Sequence, residues 1–212
     1  MEKCTLCPVA CGADRSKTSG FCGVRSLNIA KYYLHPYEEP CISFKNGSGA
    51  IFFTGCNLRC VFCQNYELSR AKRGKDITPA ELADIFRALE EAGAENINLV
   101  TPAHVVDPIV RALEIYKPNI PLVYNSHGYE KSETLRMIGE YVDIWLPDLK
   151  FFSPALSERY TGRADYFEYA SRAVKFMAEK PLALREDGKM LSGCIVRHLI
   201  LPLGARDSMH IV

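Results

Sequence analysis

The stretch that decides the fold is AIFFTGCNLRCVFC, residues 50–63. Its first residues are apolar and aromatic, which is typical of a short buried β-strand. Three cysteines follow with the spacing C-x3-C-x2-C, at positions Cys56, Cys60 and Cys63. Parallel α/β folds bind ligands at the carboxyl ends of their strands, so a cysteine loop in this place predicts a metal centre there.

Beyond residue 63, apolar runs alternate with amphipathic helical patterns. Together with the opening stretch we predict five strands, near residues 50–54, 96–100, 121–124, 142–146 and 194–201. Helices are predicted between them, over residues 78–92, 106–116, 131–138 and 153–179, the last with a break near Gly162. The first of these helices begins at a capping box formed by Thr78 and Glu81. Strands and helices that alternate in this way predict βαβ units on a parallel sheet, and therefore an α/β fold.

The beginning of the chain has a different character. We divide the protein into a cysteine-rich N-terminal metal-binding segment, residues 1–45, and an α/β unit, residues 46–212. The N-terminal segment lacks clear periodicity and is predicted to be loop-rich. It contributes four soft ligands within nineteen residues, at Cys4, Cys7, Cys11 and Cys22. Such a set suits a structural zinc or a second iron–sulfur cluster, and four buried thiols without a metal are the remaining alternative.

Composition and charge exclude several classes of protein. The formal net charge of +1 gives no electrostatic footprint for nucleic acid. The sequence shows no signal-peptide pattern and no run of eighteen apolar residues, so we expect a cytoplasmic protein with no membrane partner. Nine cysteines in a reducing compartment favour metal binding or chemistry over disulfides.

The loop at residues 56–63 has the right number of thiolates for an open cluster. Three thiolates can hold three irons of a cubane and leave the fourth iron without a protein ligand. An open position distinguishes a reaction centre from a sealed electron carrier. S-adenosylmethionine can fill it through its amino and carboxylate groups, and one electron then releases a 5′-deoxyadenosyl radical. Ferredoxins and zinc sites both need a fourth ligand, which favours the reactive cluster.

With the aromatic Phe62 directly before its third cysteine, this loop resembles the signature of the radical S-adenosylmethionine superfamily. Within that superfamily the chain is similar to the pyruvate formate-lyase activating enzyme and its relatives. The resemblance covers nearly the whole chain, and its further motifs are Glu38-Glu39-Pro40, Phe53-Thr54-Gly55-Cys56-Asn57-Leu58, Cys63-Gln64-Asn65, Asn125-Ser126-His127-Gly128-Tyr129 and Leu146-Pro147-Asp148-Leu149-Lys150. It implies a partial (βα)6 barrel. Since only five strands are predicted, we expect a barrel truncated after the fifth strand, incomplete at the C-terminus.

The resemblance also implies a cofactor set. Cys56, Cys60 and Cys63 would ligate a [4Fe–4S] cluster, and Phe62 would lie against the adenine of S-adenosylmethionine. Where many members carry a glycine–glycine–glutamate motif this chain has Val100-Thr101-Pro102, and Thr101 would contact the cosubstrate there.

Two further pairs of residues receive roles in the same way. Asn125 and Ser126 would contact the cosubstrate from the end of the third strand. Asp148 and Lys150 match an Asp-x-Lys pair that faces the active site in the activating enzymes, and they would be catalytic.

Three functions are compatible with these patterns. The first is a radical enzyme that abstracts hydrogen from a protein or peptide, as a glycyl-radical activase does, with a reductant such as flavodoxin or ferredoxin. The second is an iron–sulfur electron-transfer or metal-binding module without chemistry of its own. The third is an inactive barrel fragment. Formation of 5′-deoxyadenosine from S-adenosylmethionine separates the first from the other two.

Overall fold

The computed structural model describes residues 3–70 and 74–212. Within those ranges the elements are, in chain order, β1 (Asn28–His35), α1 (Pro40–Ser43), β2 (Ser48–Phe53), α2 (Tyr66–Arg70), β3 (Lys75–Asp76), α3 (Pro79–Glu91), β4 (Ile97–Val100), α4 (Val106–Ile115), β5 (Leu122–Ser126), α5 (Ser132–Ile138), β6 (Ile144–Pro147), α6 (Pro154–Thr161), α7 (Tyr166–Ala178), β7 (Ala183–Leu184), β8 (Met190–Cys194) and α8 (Ala205–Ser208).

The strands form a mixed sheet in the order β3-β1-β2-β4-β5-β6-β8-β7. Its centre is parallel, from β2 through β4, β5 and β6 to β8, while β1 and β7 pair antiparallel at the two sides. Phe52 pairs with Val100, and Val100 with Asn125, so the carboxyl ends of three neighbouring strands lie side by side. The predicted α/β fold with a mainly parallel sheet is confirmed. Closure into a partial barrel and truncation after a fifth strand remain predictions.

Local sequence signals set the helix boundaries. The Thr78 hydroxyl accepts the Glu81 N–H at 3.2 Å, and the Glu81 carboxylate accepts the Thr78 N–H at 2.8 Å. This capping box satisfies backbone donors that the first turn of α3 leaves free. α6 ends at Gly162, which adopts the left-handed conformation that favours glycine, with φ of 74°. The predicted break in the long helical stretch lies at this residue.

The main core lies between the sheet and the helices that cover it. Its members include fully buried residues of α3, α4 and the central strands, among them Leu82, Phe86, Ile109, Leu99 and Tyr124. Each such side chain contributes about 1.5–3 kcal/mol when it leaves water. This packing fixes the sheet, and the sheet holds the loops at its carboxyl edge.

The N-terminal segment, predicted to be loop-rich, also contains β1 and α1, which the sequence analysis did not predict, and β1 pairs with β2 along the sheet. One prediction about an individual element is wrong. The last strand is not residues 194–201, because β8 ends at Cys194 and only a single bridge joins Arg197 to Asp148 beyond it. Pro147 of β6 has no N–H to donate, so the ladder cannot continue regularly past it.

The division into residues 1–45 and 46–212 stays a prediction, and Met1 and Glu2 of the first segment lie outside the described residues. No helix in the described ranges combines the length and the apolar character that crossing a bilayer requires.

Candidate active site

The three cysteines of the C-x3-C-x2-C loop line one cavity of about 700 Å³ at the carboxyl edge of the sheet. Cys56 is buried, while Cys60 and Cys63 are half-buried. The Cys56 Sγ accepts the N–H of Leu58 at 3.4 Å, and the Cys63 Sγ lies 3.5 Å from the Ser69 Oγ. The loop thus turns all three thiols toward the same space.

The rest of the molecule holds this loop in place through its backbone. Arg59 and Val61 donate their N–H groups to carbonyls at the end of α6, each at 2.9 Å. The Asn57 side chain donates to the Tyr129 carbonyl at 3.0 Å, and the Arg59 guanidinium donates to the Cys56 carbonyl at 2.9 Å. A loop fixed at both flanks can present ligands to a metal centre without first ordering itself.

The donor set fits a multinuclear cluster. Burial, with smaller contributions from neighbouring thiols, raises the pKa of Cys56 to about 12. Burial also raises the pKa of Cys60 to about 11. Three thiolates in such a place therefore require cationic partners. Three thiolates on one loop can each bind a different iron of a cubane, so the chemistry of the donor set suits such a cluster.

A polar network occupies the cavity beside the cysteines. The Glu38 carboxylate accepts the side-chain amides of Asn98 at 2.6 Å and Asn125 at 3.1 Å. Arg197 donates to the Asn125 oxygen at 2.6 Å and to the Asp148 carboxylate at 2.9 Å. The network joins the loop after β1 to the ends of β5 and β6.

The structure places Asp148 and Lys150 together on the cavity wall, with the Lys150 Nζ 2.5 Å from the Asp148 carboxylate. Burial opposes ionisation of Asp148, but Lys150 and Arg197 outweigh it and hold the pKa of the carboxyl below its usual value. Lys150 also lies close enough to Cys60 to favour its thiolate. A cation beside a cluster ligand stabilises negative charge on the sulfur.

Phe62, Thr101, Asn125 and Ser126 all line the same cavity. Phe62 packs against Phe151 and Tyr160, with ring centroids 6.1 and 6.4 Å away. Thr101 has a φ of 58°, in the left-handed region that a β-branched residue rarely adopts. Its N–H donates to the Asn125 carbonyl at 2.9 Å. The turn after β4 is therefore fastened to the end of β5.

Ser126 is positioned by a buried acid behind it. Its hydroxyl donates to Glu130 at 2.6 Å, and the Tyr124 hydroxyl donates to the same carboxyl at 3.3 Å. Burial raises the pKa of Glu130 to about 8, so the group is protonated and neutral in the folded protein at pH 7. Ser126 also accepts the Gly128 N–H at 2.9 Å. The Ser126 hydroxyl is thus oriented by one hydrogen bond that it donates and one that it accepts.

His127 is a cavity-lining residue with one unpaired ring nitrogen. Its Nδ1 accepts the Tyr129 N–H at 3.1 Å, so the proton of the neutral ring is on Nε2. That Nε2 is buried and has no hydrogen-bond partner within the described part of the chain. Burial, followed by the charge of Lys150, lowers the pKa of His127 to about 3, so the ring is neutral at pH 7.

The four N-terminal cysteines lie near each other, outside the cavity. Cys7 and Cys22 are buried, Cys4 is half-buried and Cys11 is exposed. Cys4 and Cys11 interact directly, and Cys7 lies close to Cys4 and Cys22. This group adjoins the loop at residues 56–63, because the Cys56 N–H donates to the Cys22 carbonyl at 3.3 Å.

The sequence patterns assigned no role to two residues of the site. Glu38 stands in a motif that carried the resemblance, and Lys31 lies on β1, in the segment predicted to be loop. The Lys31 Nζ lies 4.8 Å from the ring centre of Phe52, and both residues line the cavity. Had a strand been predicted for residues 28–35, Lys31 would have been expected beside the cavity.

The fold and the site define a class of protein: an α/β enzyme fold in which a three-cysteine loop follows a parallel strand and opens on a polar cavity. The model of the Radical SAM superfamily matches residues 50–183. The chain belongs to the Radical SAM superfamily. Members of this family are enzymes of radical chemistry that normally use a [4Fe–4S] cluster and S-adenosylmethionine.

Two known proteins are similar to this chain over most of its length. The uncharacterized protein MJ0674 of Methanocaldococcus jannaschii is 29% identical over 210 residues, which are 95% of this chain and 57% of MJ0674. Streptococcus suis SuiB bound to the precursor peptide SuiA has a TM-score of 0.49 and 13% identity, over 74% of this chain and 33% of SuiB. SuiB without the peptide has the same TM-score and 14% identity, over 77% of this chain and 34% of SuiB. The chain spans little more than half the length of MJ0674.

Proposed function

We propose that this protein cleaves S-adenosylmethionine reductively at a [4Fe–4S] cluster ligated by Cys56, Cys60 and Cys63. When bound, the cluster supplies the electron that splits the cosubstrate into methionine and a 5′-deoxyadenosyl radical able to abstract hydrogen. The observation that carries the proposal is that three thiols of one rigid loop share a cavity with a charged network. Family membership supplies the chemical class.

The chain's own residues would bind and orient the cosubstrate. Phe62 offers an aromatic surface for the adenine, and Thr101, Asn125 and Ser126 line the adjoining wall. The Asn125 side-chain amide donates one N–H to Glu38, and we propose that its second N–H donates to a ligand.

Asp148 and Lys150 would act on the reacting groups, since they lie next to Cys60. Their ion pair keeps one carboxylate and one ammonium fixed at the cavity wall. A fixed pair can orient a polar substrate group without reorganising during the reaction.

For the substrate we propose a protein or peptide, acted on as glycyl-radical activases act on theirs. The support is an open edge beside the cavity. From Lys31 to His35 the outer side of β1 pairs with no other strand of the described ranges, and Lys31, Tyr33 and His35 line the cavity. An extended polypeptide can add to such an edge through its backbone.

The finer assignments belong to the same proposal. We propose a partial (βα) barrel for residues 46–212, a metal-binding segment for residues 1–45, a cytoplasmic location, and electron supply by a flavodoxin or ferredoxin. The fold favours this architecture through its run of parallel strands.

The test is formation of 5′-deoxyadenosine under anaerobic reduction with S-adenosylmethionine. The wild-type protein should release it, and Cys60→Ala should release none. Cys41→Ala, which removes a half-buried thiol that is absent from the cavity lining, is the matched control and should behave as wild type. An iron-replete wild-type protein that releases no 5′-deoxyadenosine contradicts the proposal and favours an electron-transfer module or an inactive protein.

A further inference from the structure

Gly20 lies against two of the four N-terminal cysteines. A Cβ added to Gly20 would lie 3.2 Å from the Cys11 Sγ and 3.5 Å from the Cys22 Sγ. Gly20 has no positive φ, so its backbone conformation does not require glycine. Its missing side chain lets the backbone approach two thiols closely, and the Arg15 guanidinium would lie 3.8 Å from the added Cβ. A methyl group at this position would therefore crowd both thiols.

The four N-terminal cysteines differ in their exposure to solvent. Cys7 and Cys22 are buried toward the sheet, whereas Cys11 is exposed to solvent. An electron donor could therefore approach the outer side while the inner side faces the loop at residues 56–63.

Direct contacts join this group to the cavity loop. The Cys56 N–H donates to the Cys22 carbonyl at 3.3 Å. The Arg59 guanidinium bridges the two segments, since it donates to the carbonyls of Cys56 and Phe21. A Cβ at Gly55 would lie only 2.5 Å from the Cys22 carbonyl oxygen, so glycine permits the approach.

We propose that Cys4, Cys7, Cys11 and Cys22 bind an iron–sulfur cluster that relays electrons to the centre at Cys56, Cys60 and Cys63. A low-potential one-electron donor, such as reduced flavodoxin, loses one electron to the outer cluster. The outer cluster then returns to its oxidised state as the inner centre is reduced by that electron. Binding of a cluster by these four cysteines does not depend on the proposed function. The electron relay does rest on it.

The structure favours a cluster over a zinc ion through one contact. The Arg15 Nη2 donates a hydrogen bond to the Cys22 Sγ at 3.2 Å. Hydrogen bonds to ligand sulfurs tune the reduction potential of iron–sulfur clusters, while zinc has no redox chemistry to tune.

The first experiment isolates the proposed site in the full chain. The triple variant Cys56→Ala/Cys60→Ala/Cys63→Ala is reconstituted anaerobically, and iron, sulfide and zinc are measured together with the electron paramagnetic resonance of the reduced protein. We expect about four irons and four sulfides per chain and a signal of a reduced cluster. One zinc without sulfide, or no metal, overturns the proposal. The measurement involves no S-adenosylmethionine, so its failure is distinct from failure of the cleavage reaction.

A second variant tests the site with all four N-terminal cysteines present. Gly20→Ala should place a methyl group against the thiols of Cys11 and Cys22 and lower the iron content of the triple-variant background at least tenfold. Ser19→Ala is the adjacent control and should keep the iron. A circular dichroism spectrum unchanged from that of the background protein establishes folding. Full iron retention in a folded Gly20→Ala variant contradicts the assignment.

A third experiment tests the relay. In Cys4→Ala/Cys11→Ala the rate of 5′-deoxyadenosine formation with reduced flavodoxin, divided by the rate with dithionite, should fall at least tenfold from the wild-type ratio. Dithionite is small enough to reach the inner centre through the cavity, whereas a protein donor is not. An unchanged ratio overturns the relay and leaves the metal site to be judged by the first two experiments.

Discussion

Arg197 Nε lies 2.9 Å from an oxygen of Asp148 and donates a hydrogen bond to it. This ion pair joins the segment after β8 to the end of β6, at the point where Pro147 interrupts the regular ladder. Lys150 holds the other oxygen of the same carboxylate. Asp148 therefore contacts two cations on the cavity wall, and Arg197 also pairs with Glu38 at 3.3 Å.

Asp148→Asn should destabilise the protein, because Lys150 would lose its paired carboxylate and Arg197 would lose one of its three. The free energy of unfolding should fall by about 2 kcal/mol, less than for a fully buried pair because the side chain is 20% exposed. Urea unfolding measures this change. Asp107→Asn, which breaks an exposed pair with Arg111, is the control and should change stability by less than about 0.5 kcal/mol. Equal effects of the two substitutions would contradict this description of the network.

Glu130 should make stability depend on pH. The unfolded chain ionises this group above its ordinary pKa of 4.5, while the folded protein keeps the proton up to about pH 8. The contribution of Glu130 is therefore fully present below about pH 4.5 and is lost as the pH rises to about 8. Glu130→Gln should flatten the urea midpoint between pH 5 and 8, roughly the window that the raised pKa defines.

The control for Glu130 is Glu133→Gln, an exposed position in the first turn of α5. It should leave the pH dependence of the wild type in place. A Glu130→Gln protein that keeps the wild-type slope would show that this carboxyl is not held neutral.

Thr101→Gly should stabilise the fold and weaken cosubstrate binding. Glycine adopts a φ of 58° without strain, so the free energy of unfolding should rise by about 1 kcal/mol. The side chain lines the cavity, and its loss should raise the KM for S-adenosylmethionine. Urea unfolding and cleavage kinetics measure the two effects. An unchanged KM would remove Thr101 from the cosubstrate site.

Thr78→Ala should remove the capping box of α3. The loss of the hydroxyl acceptor should cost about 1 kcal/mol of stability. Ser171→Ala, within α7, should cost much less, because alanine is a good helix former. Cleavage of S-adenosylmethionine should persist in both variants, since Thr78 does not line the cavity. A loss of cleavage in a stably folded Thr78→Ala protein would contradict this separation.

The sequence predicted the central fold well because its signals were local. The apolar runs of β2 and β4, the capping residues of α3 and the glycine after α6 each act within a few residues. β1 escaped prediction because its outer side is exposed and its residues alternate only weakly between apolar and polar. The irregular path after Cys194 was not predicted because its cause, the proline at the end of β6, lies in a different strand.

The grouping of the cysteines at the candidate site was predictable from sequence, and their contacts were not. The cysteine spacings identify both groups of thiols from sequence alone. The link between Glu38 and Arg197, which are 159 positions apart, depends on the sheet order, and no local pattern contains it. The contact between Cys22 and Cys56 depends in the same way on how the N-terminal segment crosses the first parallel strand.

The exposed side of β1 also bears on how the purified protein behaves. Backbone donors and acceptors that no strand among residues 3–70 and 74–212 covers favour pairing between two copies, which is a common route to aggregates. Lys31 stands within that row, half-way along the strand, and its charge would meet like charge in a symmetric pair of edges. A single lysine thus favours a monodisperse preparation, and neutralising it would be a poor choice for crystallisation.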